Sequence, residues 1–506
     1  MTDATQAPLV LVLHGATGDL ARRMVLPAIY TLSSSGFLPE QFSLVGTGAE
    51  DVGAEAFRER VVDSLTEFGG VSSAEDPAVV AFLERLSFAG PVTVEDAGTL
   101  PARIAEVADG QPATVIHYLA VPPVAFEPIT QALDAHGLAD GIRVVYEKPY
   151  GTSPESFEAL DRVVHDVFDE EQVYRIDHFL AKEATQNLYV LRFANELFGG
   201  MWNRNHVAQV QIDVPEVLDV AQRATFYDAT GAALDMLVTH LFQVAAEIGM
   251  EPPYAIDAAG LAKSRERVLG DFRPIDPSED LVFGQFEGYQ DIDAVADGSR
   301  TDTYVAARLW IDNDRWSGVP FILRTGKRLA ASGQRVTLVL RSDHELQFGA
   351  AAPGEPEVCP ENAHLRCNTI SLSLAGSGSI SLRTTVKRPG HDLVLANGTA
   401  ELDLASVDPG RSVPPYAALL YDVIRGDRSL FPTAENLRQA WRAFAPVQEA
   451  QAAESVPVHS YAPGTWGPVE ADALVHPYAW QIDTHPENAG PDDITVGLTE
   501  HGADHG

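Results

Sequence analysis

Residues 9–36 read LVLVLHGATGDLARRMVLPAIYTLSSSG, and the folding of this stretch decides the architecture of the first half of the chain. Its opening run is unbroken apolar and short, the pattern of a strand buried on both faces. Gly15 and Gly18 make a tight turn, and beyond it Leu20, Met24, Pro27, Ala28 and Leu32 recur at helical spacing until Gly36 closes the helix. Strand, glycine turn and helix together open a parallel-sheet unit, and the N-terminus of such a helix can receive a pyrophosphate. Gly15, Gly18 and Ala21 give G-x-x-G-x-x-A, a looser fingerprint than one with three glycines. Two glycines in such a turn often serve only the backbone, so the weight comes from the strand-like runs downstream.

Of these, FSLVGTG (42–48), ATVIHYLAVPP (113–123), IRVVYEKPYG (142–151) and EQVYRIDH (171–178) are β-rich and separated by helix-length segments. That alternation predicts a doubly wound sheet, a Rossmann-type dinucleotide-binding domain over residues 1–180. The residues after the second strand bear on which dinucleotide fits, because a 2′-phosphate needs a cation there and a bare ribose hydroxyl suits a carboxylate. Gly48-Ala49-Glu50-Asp51 offers carboxylates alone, which favours NAD over NADP unless Arg22, Arg23 or Arg58 reaches in.

Beyond residue 180 the pattern changes. A helical segment, EATQNLYVLRFANELF, leads to the strand-like runs HVAQVQIDV, TYVAARLWI, VPFILRT, RVTLVLR, NTISLSL and SISLRTTV. Helical stretches interrupt them at 231–249 and 434–451. This predicts a larger α+β domain over residues 181–482 with a big, mostly antiparallel sheet. Residues 483–506 carry six acidic residues and no Lys or Arg, the composition of a disordered tail.

A chain of 506 residues with 45% apolar content can fill two cores. Its 72 acidic and 35 basic residues leave a net charge of -37, which speaks against nucleic acid or an anionic membrane surface as partner. A site for an anionic substrate therefore needs its own local cations. Cys359 and Cys367 are the only cysteines and lack metal-ligand companions, so no metal is expected. Neither a signal segment nor an apolar run of membrane-spanning length is present, and the expected compartment is the cytoplasm.

The second informative stretch is YRIDHFLAKE, 174–183. Asp177 and His178 are adjacent and cannot share a helical face, whereas His178 and Lys182, four apart, can. Asp177 has no sequence-local partner. Within 231–249, Asp235 and His240 lie five apart among apolar neighbours, near one stripe but not on it. From spacing alone His240 reads as a satisfied core histidine, but a buried carboxylate such as Asp177 would fix its tautomer and stabilise its charged form. So paired, His240 can take a hydroxyl proton as hydride leaves for a nicotinamide, an arrangement worth roughly 10²–10⁴ in rate.

Nine segments then fall in one order: GATGDLARRMVLPAIY, YLAVPP, EKPYG, RIDHFLAKE, FANELF with MWNR, DMLVTHLFQ, MEPP, VPFILRTGKRL and RGDRSLF. Together they resemble the glucose-6-phosphate dehydrogenase family over about residues 9 to 480. The resemblance implies oxidation of glucose 6-phosphate at C1 to the 6-phosphogluconolactone with hydride passed to NADP or NAD, and dimers or tetramers formed through the sheet of the second domain. It makes His240 the general base and Asp177 its orienting carboxylate. His178 and Lys182 become phosphate ligands, and Glu216, Asp235 and Lys327 hold sugar hydroxyls. Lys148 sits between sugar and coenzyme, with Pro149 a candidate for a cis bond. Gly15, Thr17, Gly18, Asp19, Leu20 and Glu50 join Lys148 as coenzyme-binding residues.

The chain departs from the family pattern where ligands bind. A tyrosine after the phosphate histidine is Phe179, and a lost hydrogen bond to a charged group, worth about 1.5–3 kcal/mol, weakens phosphate binding without abolishing it. Ser332 stands where a second basic substrate residue is usual, and Ala375 replaces a glutamine. Met24 and Ala49 take the places of basic residues near the coenzyme, and the residues flanking the base read Leu234 and Val238-Thr239. Three readings remain open: a glucose-6-phosphate dehydrogenase with weakened contacts, an NAD-preferring dehydrogenase of another sugar or sugar phosphate, and a non-catalytic sensor or partner subunit. Retention of the base disfavours the last, and the charged phosphate ligands His178 and Lys182 place the first ahead.

Overall fold

The computed structural model describes residues 7–220, 223–341, 368–376, 378–387, 389–391, 395–406, 413–482 and 493–497. These form two compact units: one from residues 1–181, 254–263 and 411–438, the other from 182–253, 264–410 and 439–506.

The first unit is built on six parallel strands: β1 (Leu9–His14), β2 (Phe42–Thr47), β3 (Leu86–Phe88), β4 (Thr114–Leu119), β5 (Arg143–Tyr146) and β6 (Val173–Arg175). Their order is β3-β2-β1-β4-β5-β6, so the sheet is doubly wound about β1 and β4. Leu9, Leu11 and Leu13 enter one cluster with Leu26, Ile29 and Leu32 of the following helix, while Val10 and Val12 pack on the opposite face with Val45 and Leu100. Burial on both faces is why this strand reads as continuous leucine and valine rather than as an alternation. The four later strands expected from sequence are all present. β3 is an addition, three residues long and too short to show a period.

The expectation of one continuous second domain from 181 to 482 does not hold, because residues 411–438 fold with the first unit. The helix Pro415–Arg425 buries Ala417, Leu419, Leu420 and Val423 in the cluster around Leu11 and Leu13. Arg143 donates to its last carbonyls, Val423 and Ile424, at 2.9 and 2.6 Å. Charge then fastens the following turn: Glu170 accepts from buried Arg175 at 3.0 Å and from Arg428 at 2.7 Å, and Asp161 accepts from Arg175 and Arg438. An amphipathic helix shows the same period whichever sheet it covers, so this return was hidden in the sequence.

Among its described residues the second unit carries ten strands: β7 (Val207–Pro215), β8 (Leu281–Phe286), β9 (Tyr304–Leu309), β10 (Phe321–Gly326), β11 (Arg335–Leu340), β12 (Thr369–Ser373), β13 (Ser379–Lys387), β14 (Leu395–Asp403), β15 (Val458–Tyr461) and β16 (Asp493–Gly497). The order is β15-β8-β9-β10-β7-β11-β12-β13-β14-β16, and most neighbours are antiparallel. β7 is buried along its whole length and runs parallel to β10, with Pro215 opposite Gly326. The residues just beyond these two strands therefore leave the sheet side by side. The tail expected to be disordered contributes β16, which pairs with β14; its remainder, like Cys359 and Cys367, lies outside the described residues. Among the described residues no helix is long and apolar enough to cross a membrane.

Candidate active site

In the first unit the chain turns sharply after β1. Gly15 has φ 75°, and a Cβ there would stand 2.4 Å from the Ala120 carbonyl oxygen at the end of β4. Only glycine fits. Ala16 N–H donates to Thr47 O and Gly18 N–H to Gly15 O, both at 2.9 Å, and the helix starts at Asp19 and Leu20. Its first full turns, Ala21–Val25, are a widened helix with the Leu26 N–H donating five residues back to Ala21. Thr17 lies against Gly48, where a Cβ would meet its hydroxyl at 3.2 Å. This compact backbone cradle fits the pyrophosphate of a dinucleotide, which would lie against the N-terminal N–H groups of the helix.

The loop after β2 exposes Ala49, Glu50 and Asp51. Asp51 accepts the Gly53 N–H at 3.0 Å. The three arginines that could have supplied a cation are otherwise engaged. Arg22 pairs with Glu67, Arg23 lies over the Phe68 ring at 5.3 Å, and Arg58 donates to Leu83 O and Leu86 O at 3.0 and 2.9 Å. Below the turn His14 Nε2 and His117 Nδ1 are 2.9 Å apart, both rings buried, and burial lowers the pKa of His14 to about 4.

The segment after β6 is where the sequence reading needs correction. Residues 178–181 form a turn and the helix begins at Glu183, with Lys182 in extended conformation. His178 and Lys182 therefore share no helical face. The chain division also falls between Ala181 and Lys182, so His178 belongs to the first unit and Lys182 to the second. Asp177 does have a sequence-local partner: its Oδ1 accepts the Phe179 N–H at 2.8 Å. Burial raises the Asp177 pKa to about 6, against the opposing charges of His178 and Lys148 and the backbone N–H groups of Phe179 and Leu180. Phe179 thus contributes its amide, while its buried ring packs on His178 with centroids 5.0 Å apart. The Lys148–Pro149 bond is cis. Glu147, unremarked in the sequence, is buried and accepts from the Tyr118 hydroxyl at 2.5 Å.

The second unit brings the sugar-side candidates together. Ala233–Leu241 is a widened helix in which Phe242 N–H donates to Leu237 O. Residues five apart on an α-helix diverge by about 140°. An i→i+5 helix takes more residues per turn and closes that angle, moving half-buried Asp235 and buried His240 towards one stripe. Asp302 holds the start of this helix: its Oδ2 accepts the Ala233 N–H and its Oδ1 the Gln451 amide, each at 2.7 Å. Burial raises the Asp302 pKa to about 7.

Parallel β7 and β10 set Glu216 beside Lys327, with Oε2 and Nζ 2.5 Å apart. Tyr227 links this pair to the helix. Lys327 Nζ stands 5.5 Å from its ring centre, and its phenol pKa is raised by burial and then by Asp302, Asp235 and Glu216 among its neighbours. Ser332 Oγ accepts the Val217 N–H at 2.9 Å, so this hydroxyl braces the Glu216 loop. Lys182 donates to the Gln334 carboxamide oxygen. Tyr227, Asp302 and Gln334 carried no sequence signal, since each acquires its place through a strand or helix far away in the chain.

Two family models match the chain one after the other. Residues 12–187 match the glucose-6-phosphate dehydrogenase NAD binding domain and residues 189–481 its C-terminal domain. The chain belongs to the glucose-6-phosphate dehydrogenase family. It is thus an oxidoreductase that binds a nicotinamide dinucleotide, and the cradle at Gly15 fits that coenzyme. Among relatives of this family member is glucose-6-phosphate 1-dehydrogenase of Aggregatibacter actinomycetemcomitans, 33% identical over 92% of this chain and 95% of its own length. Glucose-6-phosphate 1-dehydrogenase 2 of Mycobacterium tuberculosis is 34% identical, over 91% of each chain. A crystal structure of glucose-6-phosphate 1-dehydrogenase from Mycobacterium avium superposes with a TM-score of 0.80 at 32% identity, covering 94% of this chain and 99% of the other. A glucose-6-phosphate dehydrogenase in complex with its substrate glucose 6-phosphate gives 0.83 at 26% identity, over 95% and 100% of the two chains.

Proposed function

We propose that this protein oxidises glucose 6-phosphate at C1 to 6-phospho-glucono-1,5-lactone, the first step of the pentose phosphate pathway. The observation that carries the reading is that both family domains match in order; the family resemblance of the sequence motifs supplies Asp177, His178, Lys182, Glu216, Asp235, His240 and Lys327 for the chemistry. In this reading His240 removes the C1 hydroxyl proton, and Asp177, ionised above about pH 6, supports the imidazolium that forms. Lys327, Glu216 and Asp235 hold sugar hydroxyls, and His178 and Lys182 take the phosphate. Lys148 contacts both sugar and coenzyme. The dinucleotide supplies the hydride acceptor, held at Gly15, Thr17, Gly18, Asp19 and Leu20 with its ribose near Glu50.

NAD is the preferred coenzyme in this proposal, supported by Ala49, by Glu50 and by the engagement of Arg22, Arg23 and Arg58 elsewhere. The protein acts as a homo-oligomer, a dimer or tetramer formed through the ten-stranded sheet, where Val386 of β13 and Leu402 of β14 are exposed apolar residues. A cytoplasmic location accords with two Arabidopsis thaliana relatives named as cytoplasmic. A second reading, another sugar or sugar phosphate, is favoured by Phe179 and Ala375. A matrix of sugars against NAD and NADP, followed by reduced-nicotinamide absorbance, tests the substrate and coenzyme assignments. Absence of turnover with glucose 6-phosphate and either coenzyme sinks the first reading.

A further inference from the structure

We infer that Gln334 is a phosphate-binding residue, acting beside Lys182 to set selectivity for a phosphorylated sugar. This rests on the reading of Lys182 as a phosphate ligand. The lysine ammonium has donors only, so the carboxamide that it meets must turn its oxygen towards it, as the contact between Lys182 Nζ and Gln334 Oε1 shows. The same planar group then presents its amide nitrogen away from the contact. Among the described residues Gln334 Nε2 donates to no protein acceptor, although the side chain is half-buried. Two N–H donors without an acceptor, fixed next to an ammonium, form a site for an anion with several oxygens.

The backbone holds this arrangement in place. Gln334 immediately precedes β11, and its carbonyl accepts the Leu374 N–H at 2.7 Å. Leu374 precedes Ala375, the position at which the family resemblance places a glutamine. Ala375 has no side-chain donor to offer, and the Ser332 hydroxyl oxygen accepts the Val217 N–H. The carboxamide missing from one strand end is therefore present on the neighbouring one. A neutral amide also suits this place physically, since it orients the lysine without cancelling its charge.

The test is calorimetric titration of inorganic phosphate into the full chain and into K182A, Q334A and Q334E, with steady-state kinetics on glucose 6-phosphate and on glucose. A hydrogen bond to a charged group predicts a ten- to a hundredfold weaker phosphate affinity in Q334A, and a similar rise in KM for glucose 6-phosphate. The kcat should stay within about twofold, and kcat/KM for glucose, which lacks the phosphate, should be unchanged. Q334E, which sets a carboxylate against the anion, should lose more than Q334A. Loss of phosphate affinity in K182A but not in Q334A overturns the inference and leaves Lys182 as a ligand. Equal losses on glucose and glucose 6-phosphate overturn it as well, by showing a general structural role. No phosphate binding by the parent chain overturns both assignments. Weakened phosphate binding in Q334A without turnover of glucose 6-phosphate sustains the inference while the proposed reaction fails.

Discussion

In the proposed function the glycine turn of the first unit and the lysine sites of the second both meet anionic or polar ligands, but they are made from different materials. At the turn the binding groups are backbone N–H groups, and five consecutive residues, Gly15 to Asp19, supply the geometry. At the lysine sites the groups are side chains: Lys327 meets a carboxylate 111 positions away in Glu216, and Lys182 meets an amide 152 positions away in Gln334. A backbone site tolerates change in its side chains and fails when a Cβ is added. A side-chain site depends on strand register and can have its chemistry altered one residue at a time.

The largest effect should come from the side-chain half. His240→Ala should lower kcat by about 10² to 10⁴ with KM for both substrates within a few-fold, read by steady-state kinetics. A kcat within a few-fold of the parent would remove His240 as the base. Next, Gly15→Ala should raise KM for coenzyme by about ten- to a hundredfold while sugar KM stays constant, because positive φ and the close Ala120 oxygen add roughly 1–3 kcal/mol of strain. An equal rise for both substrates would erase the distinction between the two regions.

Asp177 sharpens the comparison through pH. Its folded pKa, about 6, lies above the ordinary 3.8 because burial disfavours the charge. The activity should therefore fall about tenfold per unit below pH 6. The stability sign is opposite: the proton is held more tightly in the folded state, so stability is greatest below the ordinary carboxylate value and is lost as pH rises through 6. Asp177→Asn should accordingly raise the melting temperature at pH 8 by a few degrees while it lowers kcat. A fall in melting temperature would show that the charge stabilises the fold. The smallest effect is expected at Ala49→Arg, which should improve kcat/KM for NADP about tenfold by adding a cation beside the 2′-phosphate, with little change for NAD. Parent protein that already prefers NADP would contradict the role given to Glu50.

These contrasts reflect the way the two regions are encoded. The first sheet was legible because each strand is a short apolar run and each crossover a helix-length segment. In the second, β8, β14, β15 and β16 escaped notice, and so did the return of residues 411–438 to the first unit, since pairing partners and covering sheets leave no local period. The turn at 178–181 misled for a related reason: four-residue spacing suggests a helical face only where a helix exists, and here it starts at Glu183.

The sequence by itself determined the nucleotide turn, the two-part architecture, the family and the identity of the ionisable groups, because those depend on residue type and order along the chain. Tertiary structure alone decided that Glu216 meets Lys327, that a widened helix draws Asp235 and His240 towards one stripe, and that Gln334 attends Lys182. Strand register and the number of residues per helical turn set those relations, and both are fixed only when the whole sheet and its covering helices pack.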